Sequence, residues 1–409
     1  MGFTAATSHP SPFEVHFETA TRALRSALIE LLSAAGAETD RPQVMSRHFG
    51  LNKNLTWKLT KIVHGTDAFA WAPHVPGRGG LKIALDAIGP SAGAKRRSAV
   101  ETAFDEFEAM VQLHAGDRTN LELLLGNLRP DALSDERLET SRKLAFQGNS
   151  AIWGVQARLR FGLQMDCPNE EDPSRVDIVK VGGILGFRRL RPISTWPLAR
   201  VGGFGGDNTR WEPIDQVAWD ECGVPLMREF CSQRLPEIHT VPIDTGNMFE
   251  LGPGPVGNAA EVSCVFGAVQ RAFAPIYADA EGDVGEHYLH FDGPLERGIF
   301  DMLVHKDLPV ELPPRPTLFS MLHGRQEFPL STTTRFHLPL HAEVQELGNG
   351  PPHMATPHMA DYAEIVDRTC RKIGRSLDEF RGYRVEIAYP PIPSILVLHY
   401  PLAPRPSQA

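Results

Sequence analysis

The stretch of residues 41–63 limits the fold of this chain more than any other. It reads RPQVMSRHFGLNKNLTWKLTKIV, and apolar residues recur at intervals of three or four positions on both sides of Gly50. This spacing places them on one face of a helix. Glycine adopts a positive φ at little cost, so Gly50 predicts a tight turn between two short helices. The small residue Ser46 suits the point where the two helices would cross.

A longer amphipathic helix is predicted just upstream, from Phe13 to about Ala35. Gly36 is a typical helix stop, and Pro42 suits the first turn of the next helix. The three helices would share a core. Its predicted members are Phe17, Ala20, Leu24, Leu28, Leu31 and Leu32 in the long helix, and Val44, Met45, Phe49, Leu51, Leu55, Leu59 and Ile62 in the pair.

Positive charge is concentrated in the same region. Residues 41–82 contain seven Lys or Arg side chains and one acidic side chain, Asp67, whereas the whole chain has a net charge of −9 at pH 7. A basic module in an otherwise acidic chain is typical of a nucleic-acid-binding domain. The seven basic residues are Arg41, Arg47, Lys53, Lys58, Lys61, Arg78 and Lys82.

The run V-M-S-R-H-F-G-L-N-K-N-L-T-W-K-L, within residues 20–88, resembles the helix-turn-helix (winged-helix-like) domains of bacterial transcriptional regulators. The resemblance implies that the second helix of the pair enters the major groove of DNA. The sequence departs from the pattern at Thr56, where such domains usually have an apolar β-branched residue. Trp57 is also unusual on the outer face of this helix.

Double-stranded DNA is therefore the predicted partner. Asn52, Lys53, Asn54 and Thr56 would lie near base edges, because Asn and Lys side chains read bases by hydrogen bonds. The remaining predicted contacts are Trp57 on the outer face of the helix, and Lys58, Lys61, Arg47 and Arg78 on phosphates.

The fold class predicted for the chain is α+β. An N-terminal all-α helix-turn-helix domain would precede a larger, mostly antiparallel domain, since apolar and polar residues alternate in part from residue 152 onward. The predicted divisions are a disordered lead at 1–12, the helix-turn-helix domain at 13–90, a helical connector or dimerisation segment at 91–140, the α+β domain at 141–402 and a tail at 403–409.

Several local patterns support this division. Residues 176–190 predict two strands separated by Gly182-Gly183, and the end of the chain predicts two strands around a proline-rich break. Met359 to Ile373 predicts a helix. PGRGG at residues 76–80 is interpreted as a tight turn before a helix rather than as a wing, and VGGFGGDN at residues 201–208 as a loop.

The sequence predicts no catalytic residue, no metal ligand and no cofactor. Histidines are dense in the second half, but there is no HExxH motif, and Pro339 disfavours a helix that would carry His337 and His341 on one face. Eight of the sixteen histidines lie between residues 287 and 358: His287, His290, His305, His323, His337, His341, His353 and His358.

The leading hypothesis is a DNA-binding transcriptional regulator. One helix-turn-helix rarely binds tightly enough alone, so a homodimer is expected, with the larger domain sensing an unidentified small molecule or holding the dimer. Two alternatives stay open: a metal-dependent enzyme in the larger domain, and a structural protein whose helical head binds another protein. Five widely spaced cysteines favour a reducing cytoplasm, and no apolar run approaches the ~18 residues of a membrane span.

Overall fold

The computed structural model describes residues 12–128, 135–201, 211–243, 246–280, 282–322, 337–340 and 342–405. The chain forms two compact units, residues 1–134 and 135–409. The lead at residues 1–11, most of the glycine-rich segment 201–208, His323, His341 and the last four residues lie outside the described residues. No helix in the described part is both long and apolar enough to cross a membrane.

The first unit is helical throughout its described residues. The predicted long helix and the predicted pair are present, and further helices follow them. The helices are α1 (Pro12–Ala34), α2 (Pro42–Phe49), α3 (Lys53–His64), α4 (Ala68–Trp71), α5 (Arg78–Ala92), α6 (Ala94–His114) and α7 (Arg118–Leu128).

The turn between α2 and α3 has the predicted form. Gly50 adopts the left-handed conformation with φ 66° and ψ 24°, and its N–H bonds the carbonyl of Ser46. Ser46 is buried, and its hydroxyl donates a hydrogen bond of 2.6 Å to the carbonyl of Leu51. A larger side chain at Ser46 would force the two helices apart, so this serine sets their close crossing.

The core of the first unit extends beyond the predicted helix-turn-helix boundary. Val100, Phe104 and Phe107 of α6 and Leu121 of α7 are buried in the same apolar cluster as Leu28 of α1. Residues 94–128 therefore belong to the same compact unit as the predicted helix-turn-helix segment. The last residues of the connector predicted at 91–140 begin the second unit, six residues before the predicted start at 141.

The PGRGG segment leads directly into a helix. Gly77 is the residue before α5, and Arg78 is its first residue. The expected helix forms, but Arg78, Gly79 and Gly80 belong to its first turn, so only Pro76 and Gly77 of the segment precede it. No β-strand occurs in the described residues of the first unit, so the β-hairpin wing of winged-helix domains has no counterpart there.

The second unit combines three helices with fourteen strands in its described residues. The helices are α8 (Asp135–Trp153), α9 (Gln216–Cys222) and α10 (Tyr362–Ile373). The strands are β1 (Val155–Pro168), β2 (Arg175–Arg189), β3 (Trp196–Val201), β4 (Trp211–Pro213), β5 (Ile238–Ile243), β6 (Gly246–Leu251), β7 (Val262–Pro275), β8 (Val284–Phe291), β9 (Leu295–His305), β10 (Arg315–Ser320), β11 (His337–Leu338), β12 (Gln345–Asn349), β13 (Phe380–Ala388) and β14 (Ser394–Pro401).

The largest sheet has the strand order β12-β13-β9-β1-β2-β7-β4. Each neighbouring pair is antiparallel except β1 and β9, which are parallel. The predicted α+β class with a mostly antiparallel second region is confirmed. The predicted terminal strands and the helix before them also form, as β13, β14 and α10. The two strands predicted at 176–190 are instead one continuous strand, β2, which runs through Gly182-Gly183.

Each face of this sheet has its own apolar core. One face packs against α10, where Phe161, Leu163 and Val179 lie with Ile365 and Val366. The other face lies under a four-stranded sheet of order β11-β10-β14-β8 and shares an apolar cluster with it. Side chains alternate between the two faces along a strand, so a strand between two cores is expected to be apolar on both. Polar residues in the middle of such a strand call for an explanation.

Candidate functional site

The exposed face of α3 is the predicted DNA-reading surface. Asn54, Trp57 and Lys61 are exposed at intervals of three or four residues, and Lys53, next to Asn54, is exposed as well. Leu59 and Ile62 on the opposite face are buried in the unit's core. The helix therefore presents one continuous polar stripe to solvent, as a helix that enters a groove must do.

The cations of α2 and α3 differ from other cations nearby in whether they form ion pairs. Arg78 pairs with Asp105 at 2.8 Å, and Lys82 pairs with Asp86 at 2.7 Å. Arg41 lies 3.7 Å from Glu38. Within the described residues, by contrast, the four cations of α2 and α3 form no salt bridge: Arg47, Lys53, Lys58 and Lys61.

Three of the predicted contacts need revision. Thr56 is 0% exposed, and its hydroxyl bonds the carbonyl of Lys53 at 3.0 Å, so it belongs to the core and cannot reach a base edge. The side-chain oxygen of Asn52 accepts the N–H of Asn54 at 2.7 Å and caps α3, which occupies the atom that paired reading of adenine would use. Arg78 is already paired with an acid and lies outside the α2–α3 pair.

Trp57 is exposed to 42% and is held by two contacts. Its ring meets the His74 ring edge-on at 5.0 Å between centroids, and the Lys61 ammonium lies 5.5 Å from its centroid. Both contacts restrict the indole while leaving it at the surface. The expectation that Trp57 is exposed is confirmed.

The C-terminal end of α3 is fixed to α1. Arg25 donates hydrogen bonds of 3.1 Å and 2.8 Å to the carbonyls of Ile62 and Val63. The last carbonyls of a helix have no partner within the helix, and a cation favours that end of the helix dipole. Arg25 thereby fixes the orientation of the exposed stripe relative to the rest of the helical unit.

The second unit contains a cavity of about 290 Å³ on one face of its largest sheet. The register of the strands determines which residues form its floor. Gly162 pairs with Gly182, while Gln164 pairs with Lys180, which in turn pairs with Ala268 on β7. Directly opposed residues point to the same face of a sheet. Gly182 leaves the space above it open, whereas Leu289 and Phe300 already fill the space above Gly162. Beside this glycine pair lies a row that contains an amide and an ammonium group.

Most of the cavity wall is aromatic or aliphatic, with a few polar groups. The polar side chains that line it include Gln164, Lys180, Arg160 and Asp292. Such a composition, an apolar wall with a few polar groups at defined places, is typical of small-molecule sites. The aromatic part of the wall comprises Phe161, Phe187, Trp196, Trp211, Phe266, Tyr288 and Phe300.

The two cations in the cavity differ in their partners. Arg160 donates a hydrogen bond of 2.9 Å to the carbonyl of Leu198, and the charge of Asp292 favours its protonated form. Lys180 forms no salt bridge within the described residues, and its ammonium lies 5.5 Å from the centre of the Trp211 ring. Burial lowers the pKa of both side chains, because leaving water penalises the charged form.

A buried polar cluster lies next to this row on β1. The Nε2 atom of His287 is 2.6 Å from Oδ2 of Asp166, and the Tyr400 hydroxyl donates to the same oxygen at 3.0 Å. The other oxygen of Asp166 has no hydrogen-bond partner within the described residues. The cluster links β1 to β8 and β14, so it joins the two sheets across their shared core.

The histidines of the second half are dispersed. His287 belongs to the Asp166 cluster, and His305 is buried beside Phe380. His290 lines the cavity. No group of three or more His, Cys, Asp or Glu side chains in the described part of the chain is placed to hold a metal ion.

Sequence reasoning overlooked the cavity, although a signal was present. Arg160 and Lys180 each interrupt an apolar strand pattern, in ARLRFGLQM and VDIVKVGGIL. A cation in the middle of a buried strand needs a partner or a ligand. Comparison with known proteins adds nothing to this site, since no family model matches the chain. No curated protein matches it either.

Proposed function

We propose that this chain is a DNA-binding transcriptional regulator that inserts α3 into the major groove. The observation that carries the proposal is the contrast in ion pairing. Arg47, Lys53, Lys58 and Lys61 have no salt bridge within the described residues, whereas Arg78 and other nearby cations are paired with acids. Cations without acidic partners on one surface are available to phosphates.

The dimensions and polarity of α3 support this use. An α-helix with its side chains is about 10–12 Å across, and the major groove of B-DNA is about 12 Å wide. Residues at the start of a recognition helix reach base edges. Lys53 and Asn54 occupy that position, and an Asn amide can bond the N6 and N7 atoms of adenine together. Lys58, Lys61 and Arg47 would contact phosphates.

A regulator also needs affinity and a signal. A single helix-turn-helix rarely binds tightly enough alone, so the proposal includes a homodimer on a two-fold symmetric site. The second unit would then supply dimer contacts, effector binding or both. The effector would bind in the cavity of this unit.

The test selects binding sites from a random pool of duplexes with the purified full-length protein. The variant Lys53→Ala/Lys58→Ala/Lys61→Ala removes cations that have no acidic partner. Its matched control, Arg78→Ala/Lys82→Ala, removes two cations that have one. We expect sequence enrichment with the natural chain and the control, and its loss with the triple variant.

Salt dependence adds a quantitative check. Log affinity falls linearly with log salt concentration, and each lost phosphate contact makes this negative slope shallower by about 0.9. The triple variant should show this decrease and the control should not. Absence of enrichment with the natural chain at every salt concentration would sink the proposal and favour a protein partner for the exposed face of α3. If both variants weaken DNA binding equally, the binding would come from general charge attraction and not from α3.

A further inference from the structure

We propose that the cavity of the second unit binds a small aromatic carboxylate, with the carboxylate between Lys180 and Gln164 and the ring over Gly182. Binding itself is independent of the proposed DNA-binding function. The use of such a ligand as an effector rests on that function.

Strand register brings the two anchoring groups together. Gln164 on β1 is the direct partner of Lys180 on β2, and both side chains line the cavity. The Cβ atoms of directly opposed residues in antiparallel strands lie about 4.5–5.5 Å apart. An amide N–H and an ammonium group at this separation can both donate to one carboxylate.

Within the described residues, neither group has a hydrogen-bond acceptor or an acidic partner. The side chain of Gln164 is 3% exposed, yet it makes no hydrogen bond within the described residues. Lys180 forms no salt bridge there. The buried amide and the half-buried ammonium therefore lie side by side in one cavity, where both can donate to a bound acceptor.

The positive charge of Lys180 favours an anion over a neutral acceptor. Asp166 is the charged group that opposes the effect of burial on Lys180, and one of its oxygens already bonds His287 and Tyr400. Asp166 does not reach salt-bridge distance from Lys180. A bound carboxylate would supply the direct partner, and it would favour the ammonium form.

Arg160 is less available than Lys180. The guanidinium already donates to Leu198, and it lies under the influence of Asp292. On β1, Arg160 is four residues from Gln164, a separation of about 13 Å along a strand. The carboxylate is therefore assigned to the Lys180 end, and Arg160 marks the opposite end of the cavity.

The rest of the cavity suits an aromatic ring. A Cβ atom at Gly182 would meet the carbonyl oxygen of Phe161 at 3.2 Å and otherwise little, so this glycine leaves the space above it open. Aromatic side chains, among them Phe266, Phe300 and Trp196, surround that space. A cavity of about 290 Å³ lies near the lower end of the size range of ligand pockets, which limits the ligand to a small molecule.

The experiment titrates the full-length protein with benzoate, phenylacetate, indole-3-carboxylate, benzamide and inorganic phosphate. Binding is followed by calorimetry and by tryptophan fluorescence, because Trp196 and Trp211 line the cavity. We expect at least one aromatic carboxylate to bind, and benzamide, which has no charge, to bind at least about tenfold more weakly than benzoate.

Three variants locate the site. Lys180→Met should weaken carboxylate binding by at least about tenfold while the protein stays folded, since it replaces a half-buried cation by an apolar side chain of similar size. Ala268→Leu keeps the ammonium group but fills the cavity, and it should also abolish binding. Lys372→Met removes a lysine that is exposed on α10 and should change nothing.

The proposal is overturned if none of the three carboxylates binds, if benzamide binds as tightly as benzoate, or if Lys180→Met binds as tightly as the natural chain. Equal binding of inorganic phosphate would remove the aromatic requirement and overturn the ligand class. A second arm measures DNA affinity with and without the bound carboxylate. Ligand binding without DNA binding would overturn the proposed function alone, because the titration contains no DNA.

Discussion

The two units of this protein place their charged side chains differently. In the helical unit, cations lie at the surface, some paired with acids and some, on α2 and α3, without acidic partners in the described residues. In the β-rich unit, several charged groups are buried inside the fold. Asp301 is 0% exposed and is bound by Arg384 through two hydrogen bonds of 2.8 Å and 2.7 Å.

This difference follows from desolvation. A surface cation remains hydrated and costs little to keep unpaired, so the helical unit can present several to an outside partner. A buried charge loses its hydration and must be compensated within the protein or by a ligand. Asp301 is compensated by Arg384 and by the Tyr362 hydroxyl at 2.7 Å. Lys180 is half-buried and has no acidic partner at salt-bridge distance within the described residues, which is why the proposed ligand site is placed there.

The largest expected effect is the loss of the Asp301 carboxylate. Asp301→Ala should destabilise the second unit by about 3–5 kcal/mol, because it leaves Arg384 buried without its partner. Equilibrium denaturation followed by circular dichroism measures the change. The triple lysine variant of α3 should shift the free energy of unfolding of the first unit by no more than about 0.5 kcal/mol.

A double variant separates the charge effect from packing. Asp301→Ala/Arg384→Met removes both members of the pair, and it should recover a large part of the stability lost in Asp301→Ala. Equal destabilisation by the single and double variants would mean that packing around Asp301, and not its charge, stabilises this part of the fold. The comparison between the two units would then lose its physical basis.

A smaller effect is expected from Arg25, which joins α1 to α3. Arg25→Met removes two hydrogen bonds to the carbonyls of Ile62 and Val63, and we expect a loss of about 1–3 kcal/mol in the first unit. Arg22 lies on the same helix and is a matched control. Its side chain is 78% exposed, so Arg22→Met should change the free energy of unfolding by less than about 0.5 kcal/mol. Equal effects of the two substitutions would contradict the assigned contact.

The helical pair was predictable because its determinants are local. The spacing of apolar residues defines α2 and α3, and Gly50 supplies the left-handed residue that the turn requires. The full extent of the core of this unit could not be predicted from the sequence. The apolar residues of α6, such as Val100, Phe104 and Phe107, also follow helical spacing, but spacing does not tell which other helix a face packs against.

The cavity depends on contacts between residues distant in sequence. Gln164 and Lys180 become neighbours through the antiparallel register of β1 and β2, which alternation alone does not fix. Gly182-Gly183 was predicted to interrupt a strand, since glycine weakens strands. In the structure Gly182 lies within β2, where the absence of a side chain keeps the cavity open.

The smallest expected effect is the difference between substitutions of Asn52 and Asn54, the two asparagines at the start of α3. Asn52 caps the helix, so Asn52→Ala should cost about 1 kcal/mol of stability. Asn54 is exposed, so Asn54→Ala should leave the unfolding free energy within about 0.5 kcal/mol and change the selected DNA sequence instead. Denaturation and site selection, applied to both variants, measure the two effects. If Asn54→Ala leaves the selected sequence unchanged, base reading by this side chain is wrong, and α3 would contact DNA through its cations alone.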